Sequence, residues 1–157
     1  MERAQHTQQQ QHYGKLVIMA VLSLASMYVL MYSMVDTFAN VLPNVNQFYM
    51  AGLMTMPMII IEIFVMSSMY MDKKRNALII AGSAVALVAF FFFIRQQTAV
   101  SDKQFLKSMI PHHAGAILMA GQASLRDPEL KKLGEKIIAD QRAEIAQMKA
   151  KLKELDQ

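Results

Sequence analysis

The sequence has no cysteine and no tryptophan. The first absence excludes disulfides, thiolate metal sites, iron–sulfur clusters and covalently attached c-type haem, while saying nothing of redox compartment. An aromatic-interleaved basic run is missing too. The formal charge is only +4, and the basic residues of the last third are mixed with acids, which argues against a nucleic-acid partner. No nucleophile with its base, no phosphate loop and no carboxylate pair at enzyme spacing is visible, so the chain is not expected to be an enzyme. What abounds is apolar surface, 54% of the residues, and methionine, 15 of 157.

So much apolar side chain, unevenly spread, does not suit a water-soluble globule. It is grouped into Leu16 to Val35, Phe48 to Met71 and Ala77 to Ile94. Each is close to the roughly 20 residues that cross a ~30 Å hydrocarbon core as a helix. Glu62 is the one charge within them. The first run is too long and too poor in a small-residue cleavage site for a signal peptide. The chain is expected to be all-α, with three transmembrane helices in contact with membrane lipid. The Gln-rich residues 1–14 read as a disordered cytoplasmic tail, with His6 and His12 as solvated residues. The three-span domain is placed over 15–95 and an extracytoplasmic helical hairpin over 96–157.

Orientation follows from the basic residues. Arg3 and Lys15 precede the first span, residues 36–47 hold no Lys or Arg, and Asp72 to Arg75, "DKKR", joins the second span to the third. The positive-inside rule therefore places the N-terminus and residues 72–75 in the cytoplasm and everything after Arg95 on the other side. In a bacterium this means the inner membrane and the periplasm.

Within the hairpin, Ser101 with Gln104 three residues later forms a capping box, and Asp127 followed by Pro128 opens a second helix. From Ile138 onward the second helix has the 3-4 alternation of a heptad seam. Two helices alone bury too little apolar area, so a homo-oligomer that completes a four-helix bundle, or docking on another chain or domain, is expected.

"SMIPHHAGAILMA", Ser108 to Ala120, sets two histidines between two methionines. At roughly 100° per residue, Met109, His112, His113, Ala116, Met119 and Ala120 share one broad face, which reads as the apolar face of the helix. A turn near Arg126 and Asp127 sets His112 and His113 opposite Asp140 and Gln141, and Met109 near Glu144 and Ile145. Pro111 removes a backbone bond and bends the helix there. Two readings remain open on these residues alone: core-edge histidines satisfied by Asp140, Gln141 or Glu144, or a soft-metal site, since thioether sulfur selects Cu(I) and imidazole suits copper and zinc.

"FLKSMIPHHAGAILMA" followed by "DPELKKLGEKIIADQRAEIAQMKAKL" resembles the CopM-like family, the domain of unknown function 305, over about Asp102 to Leu152. The resemblance implies a ferritin-like half-bundle, copper binding through Met109, His112, His113, Met119 and Met148, and a part in copper tolerance. The expected function is thus a membrane-anchored periplasmic protein that binds copper, as Cu(I) ahead of zinc, for sequestration or handover to copper-handling proteins.

The spans carry methionines of their own. Met27, Met31 and Met34 stand at i, i+4, i+7, and Met50, Met54 and Met58 at four-residue steps, with Glu62 one turn further. An ionisable group at membrane depth should be protonated, paired or facing a polar cavity, and Tyr or Ser side chains are the expected partners of Glu62. Pro57 is expected to kink its helix, and Ala81 to Ala84, "AGSA", to supply close helix packing. These features keep two rivals in view: a copper-conducting transporter routed through the methionines and Glu62, and a metal-free membrane scaffold or assembly protein.

Overall fold

The computed structural model describes the backbone from Glu2 to Gln157 and side chains from Gln9 onward. The described residues form helices α1 (Glu2–Leu30), α2 (Val45–Val65), α3 (Lys73–Gln96), α4 (Asp102–Gln122) and α5 (Pro128–Leu155), with short 3-10 turns at Met31–Met34 and Phe38–Asn40 and no strand. Three segments, Gln9–Met34, Val45–Val65 and Lys73–Gln96, are long and apolar enough to cross a membrane.

Three local expectations are revised. The stretch 1–14, expected as a disordered tail, is helical from Glu2. No proline interrupts it, Gln, Arg and Ala are good helix formers, and Gly14 costs only about 1 kcal/mol relative to Ala. The His6 side chain lies outside the described residues. The second apolar run ends its helix at Val65 rather than Met71. "DKKR" is not a loop but a cap and first turn: the Asp72 carboxylate accepts from the backbone N–H groups of Lys74 and Arg75 and opens α3.

The chain divides into two compact units. The first joins α1 to residues 48–98. Its core is Leu16, Ile59, Ile63 and Tyr70, with Tyr13, Met19 and Met56 packed around them. Polar groups fasten one end: Tyr13 Oη donates to Asn76 Oδ1 at 2.7 Å, and Asn76 Nδ2 donates to the Tyr70 carbonyl at 2.7 Å. The Arg75 guanidinium stands 5.7 Å from the Tyr13 ring centre, within cation–π range. Elsewhere α2 and α3 meet at Gly52, where Phe90 lies so near that any side chain would collide with it. Gly82 of "AGSA", by contrast, faces open space, while its neighbour Ser83 is buried.

The second unit joins residues 31–47 to 99–157. Here α4 packs on α5 through Ile110, Ala114, Ile117 and Ile145, flanked by Ile138, Met148 and Leu152. Val35 and Leu42 pack against the same core. The segment between the first two apolar helices therefore covers the pair as a third layer. Its polar ties are Val45 N donating to Gln104 Oε1 at 3.0 Å, Asn46 Nδ2 to Ser108 Oγ at 3.3 Å, and Lys149 Nζ to the Ala39 carbonyl at 3.1 Å. Gln104 thus spends its side chain on Val45, and the reciprocal half of the capping box is replaced. Ser101 still caps α4, accepting from Gln104 N at 3.4 Å.

The α4–α5 register is about one helical turn away from the expected one. His113 faces Glu144, and Lys103 Nζ lies 3.0 Å from Asp156 Oδ1. The cause is the connector 123–127. Ala123 and Asp127 have extended backbone, and Leu125 packs on α5 at Gly134. At about 3.3 Å per extended residue, the connector climbs alongside the first turns of α5 instead of reversing tightly. Asp127 caps α5 through Glu129 N and Leu130 N, at 2.8 and 3.0 Å. Asp127→Ala is expected to destabilise the chain by about 1 kcal/mol, read as a lower thermal midpoint of helical circular dichroism.

Candidate metal centre

The face of α4 that is buried against α5 is made by aliphatic residues. Leu106, Ile110, Ala114 and Ile117 repeat at helical spacing, and Ile110 is fully buried. This face sits to one side of the one marked by the histidines and methionines in the sequence. His113 and Met109 fall on its flank and are half-buried; His112 and Met119 turn away from it and are exposed. The two imidazoles are neighbours, their ring centres 6.1 Å apart, yet only one meets α5. Pro111 lies inside α4, which runs through it unbroken.

A cleft of about 360 Å³ opens between the two helices. Its donors are His113 and Met109 from α4, and Glu144 and Met148 from α5, with Phe105 and Leu106 as apolar wall. Glu144 Oε2 approaches His113 Nδ1 to 3.0 Å. The two form an ion contact when the imidazole is protonated, while the buried Nδ1 makes no hydrogen bond. A buried polar atom without a hydrogen bond costs about 1–3 kcal/mol, and such atoms call for an explanation in the chemistry of the site. Among the described residues no three His, Asp or Glu side chains converge. The donor set is one imidazole, two thioethers, one carboxylate and the Gln147 amide, with the Lys151 side chain also lining the cleft.

Of the five residues singled out in the sequence, the structure brings together Met109, His113 and Met148. It leaves His112 outside the cleft and Met119 on the surface, 55% exposed. Asp140 and Gln141, placed opposite the histidines by the tight-turn register, do not line the cleft, whereas Glu144, Gln147 and Lys151 do. The register shift accounts for the change of partners on α5, and periodicity alone holds no signal for it; the exposure of His112 and Met119 follows from the offset of the buried face.

The membrane methionines do not form one line. Met31 and Met34 belong to a 3-10 turn beyond the end of α1, which breaks their helical stripe with Met27. On α2, steps of four residues advance about 40° each around the axis. Met50, Met54 and Met58 are all exposed, and Met58 also lines an apolar groove with Met19 and Met27. Met27 Sδ also accepts a weak hydrogen bond from Thr55 Oγ1 at 3.7 Å. Glu62 has the expected kind of partner, accepting from Tyr70 Oη at 3.4 Å. Burial pushes the Tyr70 hydroxyl above its ordinary pKa, with the Glu62 charge and hydrogen bond adding to the shift, so the phenol stays a donor.

The family model described as "Domain of unknown function (DUF305)" matches residues 65–152, which take in α3, α4 and nearly all of α5. Uncharacterized protein L153 of Acanthamoeba polyphaga mimivirus is 33% identical over 145 residues, covering 88% of this chain and 91% of that protein. A likeness of that extent includes the apolar helices as well as the α4–α5 pair. No solved structure matches the chain.

Proposed function

The chain belongs to the DUF305 family, named for its unknown function, and we propose that within it this protein is a membrane-anchored copper-binding member of CopM-like type that sequesters or hands over Cu(I) outside the cytoplasm. The observation that carries the reading is the buried His113 Nδ1, without a hydrogen bond and beside the Glu144 carboxylate, in a cleft whose other donors include the thioethers of Met109 and Met148. One imidazole with two thioethers suits a soft monovalent ion of low coordination number, while the single carboxylate falls short of the all-nitrogen and oxygen sets that harder divalent ions prefer. His113, Met109 and Met148 would hold the ion, and Glu144 stands at the mouth.

Topology supports the placement. Residues 31–47 and 99–157 fold as one unit, and α2 and α3 separate them in the chain. Two crossings return a chain to the side it left, so three spans and a single folded unit agree. The positive-inside bias agrees as well, with Lys73, Lys74 and Arg75 at one end of this pair of helices and no Lys or Arg in residues 31–44.

The test is a competition titration of the full chain in detergent with the Cu(I) chelator bicinchoninate. The wild type is expected to take one Cu(I) per chain from the chelator. Met148→Leu, which keeps volume and removes the sulfur, is expected to weaken binding about tenfold with unchanged helical content. A wild-type chain that leaves all the copper on the chelator overturns the proposal.

A further inference from the structure

Helix α4 is apolar on two faces, and only one of them is covered by α5. Leu106, Ile110, Ala114 and Ile117 make the covered face. At Gly115 the helix is closed in by the 31–47 segment, where a Cβ would stand 3.4 Å from the Met34 carbonyl. The remaining sector carries Phe105, Met109, His112, Ala116, Met119 and, at the C-cap, Ala123. The 4-3-4-3-4 steps between these residues are the alternation of a coiled-coil seam, and none of the six is Asp, Glu, Lys or Arg. Phe105 is 49% exposed, and His112, Met119 and Ala123 are exposed with it. Phe105 and Met109 also border the cleft, and Met109 and Ala116 are half-buried at the edge of the seam, but no helix covers its exposed members, so this charge-free heptad seam lacks its partner helix.

The side-chain sizes along the seam identify that partner. When two copies run antiparallel about Ala114, Phe105 faces Ala123, Met109 faces Met119 and His112 faces Ala116. Each large residue meets a small one, and the two flexible thioethers meet each other. Parallel pairing instead stacks Phe105 on Phe105 and leaves Ala116 against Ala116, a bulge and a gap on one interface. Core-like packing tolerates neither. The seam is its own complement in the antiparallel sense only. We propose that α4 is the dimerisation helix of this protein and pairs through this seam with α4 of a second copy. The pairing also gives Met119 a place, beside Met109 of the other copy and at the rim of the His113 cleft. That consequence rests on the copper reading; the dimer itself does not.

The absence of cysteine permits a clean test on the full chain in detergent with a metal chelator present, so that copper plays no part. A Phe105→Cys, Ala123→Cys chain is expected to oxidise to a covalent dimer, because a disulfide needs Cα atoms within about 7 Å. Within one copy the two positions are about 27 Å apart along the helix and cannot bridge. Ala123→Cys alone is expected to give no covalent dimer, since antiparallel copies hold those positions at opposite ends. Light scattering should show a dimer for the cysteine-free protein and a monomer for Met119→Asp with unchanged helical content, because the charge would be buried against Met109 without a partner and a buried unpaired charge is strongly destabilising. A monomeric wild type, a double-cysteine chain that stays uncrosslinked, or efficient crosslinking through Ala123→Cys alone overturns the proposal. Each of these outcomes is independent of whether the cleft binds copper.

Discussion

A His113→Asn chain is expected to bind Cu(I) about 100-fold more weakly than wild type, and a His112→Asn chain to stay within about threefold of it. Even outer-shell partners of a metal cost roughly 10–100-fold when removed, so a direct ligand belongs at or beyond the top of that range. The two histidines are adjacent in sequence, and any argument from motif treats them as a unit. The structure separates them. His113 turns its Nδ1 into the cleft beside Met109 and Met148, buried and without a hydrogen bond, whereas His112 stands in solvent. Asn is the chosen replacement because it keeps a polar group near the ring position without offering an imidazole. The measurement is competition against a chromogenic Cu(I) chelator, with circular dichroism as the check on folding. Equal losses from both substitutions would assign the two residues a shared role and refute the cleft as the site; no loss from His113→Asn would remove the histidine from the site altogether.

Why that separation escapes the sequence is a matter of which residues define the buried face. Histidine and methionine, read with the apolar set, mark a face offset from the true one. Ile110, Ile117 and Leu106, the aliphatic residues, mark the face that packs on α5. Aliphatic side chains are better guides because they gain from burial without a polar atom to satisfy. Local features were legible. Ser101 and Asp127 cap their helices as read, because a cap depends only on the next three residues. The three apolar segments were legible from length and hydropathy, with boundaries a few residues out.

What was not legible depends on distant parts of the chain. The extended connector at 123–127 shifts the register, and its conformation leaves no periodic trace. The 31–47 segment covers the α4–α5 pair through Val35 and Leu42 and through the hydrogen bond that Gln104 gives up to Val45 N. Sequence spacing offered Gln104 a local partner in the capping box; a partner 59 positions away won, because Val45 N opens α2 and would otherwise lack an acceptor. The expectation that two helices bury too little was sound in its physics. Part of the answer lies within the same chain, in a segment with no helical pattern to announce it.

The largest effect on stability is expected at Gly52. A Cβ placed there would stand 2.5 Å from Cε2 and Cζ of Phe90 and 2.9 Å from its Cδ2, closer than packed carbons can approach. Relief would have to come from the ring, and the ring is hemmed in. Phe48 meets it edge-on at 6.0 Å between centres, Phe93 does so at 6.4 Å, and Tyr49 lies at 6.3 Å. Tyr49 is itself tethered, its hydroxyl donating to the Thr98 carbonyl at 2.9 Å. Gly52→Ala is therefore expected to cost about 1–3 kcal/mol through overpacking, and Gly52→Leu about 3 kcal/mol or more, by forcing α2 and α3 apart. Combining Gly52→Ala with Phe90→Ala should recover much of the loss relative to the sum of the single changes, because the added methyl then occupies space the ring has vacated; a coupling of about 1–2 kcal/mol is expected for residues in direct contact. Unfolding by a denaturing detergent, followed by circular dichroism, reads both effects. Gly52→Ala with wild-type stability, or strictly additive losses in the double variant, would show that the ring moves freely and that Gly52 is not required for the approach. The cleft at His113 belongs to the other compact unit, so Gly52→Ala is expected to keep wild-type Cu(I) affinity wherever it remains folded. Helix packing in the apolar unit and ion binding in the α4–α5 pair should then fail separately, each to its own substitutions.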